Sequence, residues 1–371
     1  MNHIKALIVD DSTIIRKILK GILNSDPDIE VVYCAVDALD AQAFIEKEKP
    51  DVITLDLEMP KMNGITFLKK LMSTNPIPTV MISSHTKGGQ AITLEALEAG
   101  AVDFITKPTS TADQGFSELQ QDIIRRVKIA AKSNIRANQT KAIVSSPPVF
   151  KPQPTPHHNN PVSSNHIPSS ASTATNTHIK SGPQKIIGIG ASTGGVEHLA
   201  RIIQLFPANT PAIVIVQHMP AGFTASFAKR LNTLATLHVK EAEHNEPITP
   251  GTIYIAPGGE KHMSITQQGR HYHVNLFEGD KVSFNRPSVD VLFDSIAECA
   301  GSNSACALMT GMGQDGAEGL LNCKNAGGRT VIQNKESCVV YGMPGHAEKI
   351  GAANEIVALE KIPETLLKMI F

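Results

Sequence analysis

Short apolar runs alternate with amphipathic stretches through the first third of the chain. KALIVDD predicts a buried strand, and Ile14, Ile15, Ile18, Leu19, Ile22 and Leu23 then recur at helical spacing. IEVVYCA predicts a second strand and 38–47 a helix. DVITLD is a third strand, followed by a helix around 66–72. PTVMISS is a fourth strand, 91–99 a helix, AVDFITKP a fifth strand and 118–132 the last helix. Such alternation predicts a parallel sheet covered on both faces. Ligands of these sheets bind at the carboxyl ends of the strands.

The pattern stops between residues 139 and 183, where Pro, Ser, Thr and Asn dominate. Such a stretch buries too little surface to offset its ordering entropy, so a flexible linker is expected. His157, His158, His166 and His178 fall in it at loose spacing and read as solvated histidines. Beyond it KIIGIGASTGG predicts a strand, a Gly-rich turn and a helix, and PAIVIVQHMP another buried strand. Further strands are expected at 253–256, 304–309 and 329–332, a helix at 289–299, and a hairpin in HMSITQQGRHYHVNLF around Gln268 and Gly269. The fold class is therefore α/β throughout. A (βα)5 domain spans 1–125, a helix end and linker 126–183, and a doubly wound α/β domain with an antiparallel hairpin 184–371.

Composition narrows the functional classes. The 371 residues carry 34 Lys and Arg against 35 Asp and Glu, a net charge of −1. That leaves no polybasic coat for nucleic acid or anionic lipid. The cysteines scatter without a Cys-x-x-Cys pair, which argues against a zinc ribbon or a disulfide framework. No apolar run approaches the roughly 18 residues of a membrane span, and MNHIKALIVDD does not read as a secretory signal. A cytoplasmic protein is expected, with no nucleic acid partner and no membrane insertion.

Asp10 and Asp11 follow the first strand and Asp56 ends the third, so the three carboxylates converge at one sheet edge. Three anions together need a cation, and an all-oxygen set favours Mg²⁺. Lys107 ends the fifth strand and brings an ammonium to the same edge; Ser83 ends the fourth with a hydroxyl. The succession DD, DLEMPKMNG, SS and TKP resembles the receiver domain of two-component response regulators over about residues 3–125. The resemblance implies that Asp56 takes a phosphoryl group from a histidine kinase. It implies Mg²⁺ held by Asp10, Asp11, Asp56 and the Glu58 carbonyl. It further implies a phosphoryl switch formed by Lys107, Ser83 and Phe104. Core filling is the alternative role for Phe104.

In the second half, Gly190-Ala191-Ser192-Thr193-Gly194 places a serine in a G-x-S-x-G turn between strand and helix. The same glycines fit a dinucleotide-binding turn, but Gln217-His218 stand where that motif wants an acid. His218 follows a strand, as a general base would, and Asp315 in TGMGQDG supplies an acid to orient it. Taken singly, Ser192 and Asp315 also suit helix caps, and His218 a structural role. The remaining histidines outside the linker read as surface or structural, and Arg286 as a substrate or receiver contact or a surface ion pair.

GASTGG, QHMP, APGG-x-x-H, RPSVDVLF and TGMGQDG together resemble the catalytic domain of the chemotaxis protein-glutamate methylesterases over about residues 184–368. The resemblance implies hydrolysis of glutamyl methyl esters on methyl-accepting chemotaxis receptors and deamidation of receptor glutamines. Ser192 would be the nucleophile, His218 the base, Asp315 its support and the Met312 N–H an oxyanion donor. Ester hydrolysis would need no cofactor. The phosphoryl donor would be the chemotaxis histidine kinase. A transcriptional regulator is the competing class, but no basic recognition helix is evident.

Overall fold

The computed structural model describes residues 3–83, 87–107, 116–135 and 184–371. The Pro- and Ser-rich stretch with its four histidines lies outside them. The N-terminal half runs β1 (Ile4–Val9), α1 (Thr13–Asn24), β2 (Ile29–Ala35), α2 (Ala38–Ile45), β3 (Val52–Asp56), α3 (Gly64–Thr74), β4 (Thr79–Ser83), α4 (Lys87–Glu98), β5 (Asp103–Thr106) and α5 (Phe116–Ala131). All its pairings are parallel, in the order β2-β1-β3-β4-β5. Alternate strand residues serve the two helix layers. Leu7, Val9, Ile53 and Leu55 pack with Phe67, Leu68 and Leu71. Ala6, Ile8, Val52 and Val80 pack with Leu19, Leu23, Ile123 and Val127. This is why the strands read as unbroken apolar runs.

The C-terminal half runs β6 (Ile186–Ala191), α6 (Gly195–Ile202), β7 (Ala212–Gln217), α7 (Phe223–Leu234), β8 (His238–Glu241), β9 (Thr252–Ile255), β10 (Lys261–Gln268), β11 (His271–Glu278), α8 (Val289–Ala300), β12 (Ser304–Leu308), α9 (Ala317–Asn325), β13 (Arg329–Gln333), α10 (Met343–Lys349), β14 (Glu355–Val357) and α11 (Ile362–Ile370). Its main sheet is parallel, in the order β14-β13-β12-β6-β7-β9-β8. The expected hairpin is β10-β11, an antiparallel pair turning at Gly269-Arg270. The edge strands β8 and β14 escape the sequence pattern. HVKE and EIV are short and only partly buried, so neither carries an apolar run.

The strand order reverses between β6 and β12: the chain builds outward from β6 through β7 and β9, then returns to the other side. Connections leave the carboxyl ends of these two strands in opposite directions and open a crevice, where α/β sheets place their ligands. In the N-terminal sheet the same reversal falls between β1 and β3.

Candidate functional site

At the N-terminal crevice, one carboxylate oxygen from each of Asp10, Asp11 and Asp56 lies within 4.8 Å of the others. Lys107 Nζ donates to Asp56 Oδ2 at 2.8 Å and stands 3.7 Å from Asp10 Oδ2. Burial pushes the Asp10 carboxyl up to about 6, and the Asp56 charge adds to it. Burial also raises Asp56 despite its lysine. Asp10 Oδ2 is buried and lacks a hydrogen-bond partner among the described residues. An orphaned carboxylate oxygen in an all-oxygen cluster fits a hard divalent cation. Glu58 is exposed, and its N–H donates to Asp56 Oδ1 at 3.3 Å. Ser83 ends β4, but its side chain lies outside the described residues.

At the second crevice β6 and β12 run side by side, with Gly190 opposite Leu308. Ser192 N–H donates to the Thr310 carbonyl at 3.0 Å, so the serine turn is stitched to the end of β12. Gly311 is obligatory here: a Cβ on it would sit 2.8 Å from Ser192 Cβ and 2.2 Å from Met343 Sδ. Its successor Met312 presents an N–H that meets no acceptor among the described residues, as an oxyanion donor requires. Gly194, at φ 78°, turns the chain into α6. That helix points its positive end at the serine. Ser192 therefore does not cap α6.

His218 follows β7, and its backbone N–H donates to the Ala191 carbonyl at 3.1 Å. Its ring Nε2 donates to Asp315 Oδ2 at 2.7 Å. That bond fixes the proton on Nε2 and leaves Nδ1 as the basic nitrogen. Ser192, His218 and Met312 line one cleft of about 1080 Å³. No hydrogen bond joins the Ser192 hydroxyl to the imidazole among the described residues; such bonds often tighten only when substrate seats.

Asp315 is fully buried and does not cap the helix that follows it, α9, where Gly316 at φ 86° takes that place. Instead it sits on the N-terminus of α8. Its Oδ1 accepts from Ser288 Oγ at 2.7 Å and the Asp290 N–H at 3.1 Å, its Oδ2 from the Val289 N–H at 2.8 Å. Burial works to raise this carboxyl, but His218, Ser288 and the Val289 N–H outweigh it and hold it below the usual range. Asp290, beside it, is pushed up to about 7, chiefly by burial. The anion is thus Asp315, poised to stabilise a protonated His218.

Two supporting residues escaped the sequence reading. Ser288 caps α8 and holds Asp315. Its own N–H donates to His262 Nδ1 at 3.2 Å, and His262 Nε2 donates to the Asp280 carbonyl at 2.8 Å. His262 is therefore a buried neutral imidazole that sets the position of the cap. The motifs RPSVDVLF and APGG-x-x-H carried these two residues. Only the fold shows that one leans on the other. His198, read as structural, is buried, and burial holds it neutral by pulling its value down to about 3. Arg286 forms no ion pair among the described residues: its guanidinium donates to the Gly259 and Gly279 carbonyls at 3.2 and 2.6 Å.

The N-terminal half meets this cleft directly. Thr193, next to the serine, donates to Asp103 Oδ2 at 3.0 Å, and Asp103 Oδ1 is held by Arg126 at 2.8 Å. The buried Phe104 ring lies 4.8 Å from the Phe223 ring. Arg230 pairs with Glu98. The residue after Asp103 is thus packed on α7, while Asp103 itself touches the neighbour of Ser192.

A five-stranded parallel sheet with an acid cluster and lysine at its carboxyl edge, joined to an α/β domain with Ser, His and Asp at its crevice, defines a hydrolase of the response-regulator class. Residues 6–115 match the response regulator receiver domain, and residues 187–366 match CheB methylesterase. A protein-glutamate methylesterase/protein-glutamine glutaminase of Bordetella bronchiseptica is 45% identical over 370 residues, covering 99% of this chain and 97% of its own length. The Salmonella typhimurium protein of the same name is 43% identical over 374 residues, covering 100% of this chain and 98% of its own. The crystal structure of the Thermotoga maritima CheB methylesterase catalytic domain shares 43% identity, covers 50% of this chain and 98% of that one, and superposes with a TM-score of 0.49. The chain belongs to the family of protein-glutamate methylesterases/protein-glutamine glutaminases.

Proposed function

We propose that the chain removes methyl groups from glutamyl methyl esters of methyl-accepting chemotaxis receptors and deamidates receptor glutamines. The observation that carries this reading is the bond from His218 to a buried Asp315 in the cleft that holds Ser192. Ser192 Oγ attacks the ester carbonyl carbon, and His218 Nδ1 takes the hydroxyl proton. The carbonyl electrons move to oxygen, which the Met312 N–H and the N-terminus of α6 stabilise. The C–O bond to the methoxy group then breaks, and His218 returns the proton to give methanol. Water, activated by the same imidazole, cleaves the glutamyl-serine ester and leaves a glutamate carboxylate. With a glutamine, the leaving group is ammonia and the steps are otherwise the same.

Control runs through Asp56, which takes its phosphoryl group from a chemotaxis histidine kinase. Asp10, Asp11 and Asp56, with the Glu58 carbonyl, would hold Mg²⁺, which neutralises phosphoryl oxygens during transfer. Lys107, drawn to Asp56, would pair with the phosphoryl oxygens, with the Ser83 hydroxyl donating to one of them and Phe104 changing rotamer with it. Phe104 and Asp103 are adjacent on β5, so a shift of that strand loosens both the Phe223 contact and the Thr193 bond. No helix among the described residues is long and apolar enough to cross a membrane. We place the protein in the cytoplasm, acting on the cytoplasmic parts of its receptors.

The regulatory reading has a two-sided test in the full chain. Asp56→Asn should abolish the rise in methanol release that a small phosphodonor produces with Mg²⁺, while leaving basal release unchanged. Phe104→Ala should raise the basal rate by about 5–150-fold, the usual span of an allosteric coupling of 1–3 kcal/mol. An Asp56→Asn chain still activated by phosphodonor would refute the assignment.

A further inference from the structure

Between β11 and α8 the chain makes a second, much smaller hairpin that the catalytic steps leave unused. Val282 and Asn285 form an antiparallel bridge, closed by N–H to carbonyl bonds of 3.1 and 2.9 Å in the two directions. The two residues at its tip, Ser283 and Phe284, have φ of 50° and 66°. Two left-handed residues in succession make the type of turn that favours Asn-Gly. A bulky side chain in that conformation is a true outlier. Phe284 is also 84% exposed, the largest exposure of any large hydrophobic described. Neither strain nor exposure of this ring serves the fold, and strained residues gather where the surroundings impose them for function.

The surroundings do impose them. Arg286 pins the base of the hairpin through the Gly259 and Gly279 carbonyls, and Asn285 Nδ2 donates to the Ser283 carbonyl at 2.7 Å. Two residues later Ser288 caps α8 and holds Asp315. The hairpin is therefore a rigid extension of the catalytic frame. Lys281, Ser283, Phe284 and Arg286 form part of the wall of the cleft that contains Ser192 and His218. The opposite wall of that cleft of about 1080 Å³ comes from the N-terminal half, through Asp103, Asp122, Arg125 and Arg126, so the hairpin borders the same opening as the serine and the imidazole. A polypeptide whose ester reaches Ser192 through this opening passes the hairpin. Phe284 stays exposed with the N-terminal half in place, so the described residues of that half leave the ring uncovered.

We infer that this hairpin is a recognition element for the polypeptide that carries the glutamyl ester, with Phe284 seating against an apolar face of that segment. The inference rests on the methylesterase reading and deepens it. The exposed Lys281 at the hairpin's base suits the acidic character of a glutamyl-bearing segment. Reaction at the ester itself does not need the ring.

Phe284→Asn tests this without relying on a fragile variant, because Asn tolerates the left-handed region that Phe resists. The full chain and the variant are assayed for methanol release from methylated receptor membranes and from N-acetylglutamate 5-methyl ester, and both are melted. The variant should melt at or above the wild-type temperature. Its KM for receptor should rise about 10-fold, with kcat and small-ester hydrolysis within twofold of wild type. Phe284→Tyr should restore the receptor KM. An unchanged receptor KM, or an equal loss on both esters, would overturn the inference. A wild-type chain inactive on both esters would overturn the methylesterase reading and this inference with it.

Discussion

Ser192→Ala should lower methanol release by on the order of 10⁵–10⁶-fold, the scale on which a hydrolase loses rate when its nucleophilic serine is removed. The change deletes one oxygen and little else. The bonds that shape the turn are backbone bonds: Ser192 N–H to Thr310, Gly195 N–H to the Ser192 carbonyl at 2.7 Å, and Gln217 Nε2 to the same carbonyl at 3.0 Å. The thermal midpoint should therefore hold within a degree or two. Loss of activity with an unchanged melt assigns the hydroxyl a chemical role. A variant that still demethylates receptors near the wild-type rate would leave the serine a bystander.

Asp315→Asn should cost about 10⁴-fold in kcat, and the reason is directional. Among the described residues Asp315 accepts from four donors: His218 Nε2 and the Val289 N–H on one oxygen, Ser288 Oγ and the Asp290 N–H on the other. An amide can satisfy only one of these sides. If its NH₂ faces His218, it donates to Nε2 and drives the imidazole proton to Nδ1, where no proton from Ser192 can then be taken. If it faces Ser288, it confronts the N-terminal N–H groups of α8, and a buried unsatisfied pair costs about 1–3 kcal/mol. Kinetics should show the loss in kcat rather than KM, and the melt should fall by several degrees. Because Asp315 is held low and acts as the anion, its own protonation should mimic the substitution only below the usual carboxylate range. A kcat within tenfold of wild type would contradict the support assigned to this carboxylate.

Much of this was legible in the chain because parallel sheets bring strand ends together. Asp10, Asp11, Asp56 and Lys107 sit at strand ends by sequence, and so they meet in space. Ser192, His218 and Asp315 follow β6, β7 and β12, which are neighbours in the sheet. What spacing does not encode is the partner that a buried group chooses. Asp315 precedes α9 and, taken singly, also suits its cap. It serves α8 instead, because the α8 N-terminus carries free N–H groups beside it while Gly316 turns the chain into α9. His262 was one of several undistinguished histidines until β10 carried it beneath Ser288. Asp103 and Thr193 are far apart in the chain, and only the packing of the two halves joins them. β8 and β14 failed to register for a simpler reason: edge strands need no continuous apolar run.

The central claim is that the Ser192 hydroxyl, activated by His218, performs the hydrolysis. A serine-directed fluorophosphonate, followed by peptide mass mapping and methanol release on the same sample, tests it most directly. The account predicts one adduct per chain, on Ser192, with activity falling in proportion to occupancy, and no labelling of His218→Ala. Full activity in a chain whose Ser192 is stoichiometrically blocked, or inactivation that maps to another residue, would contradict it.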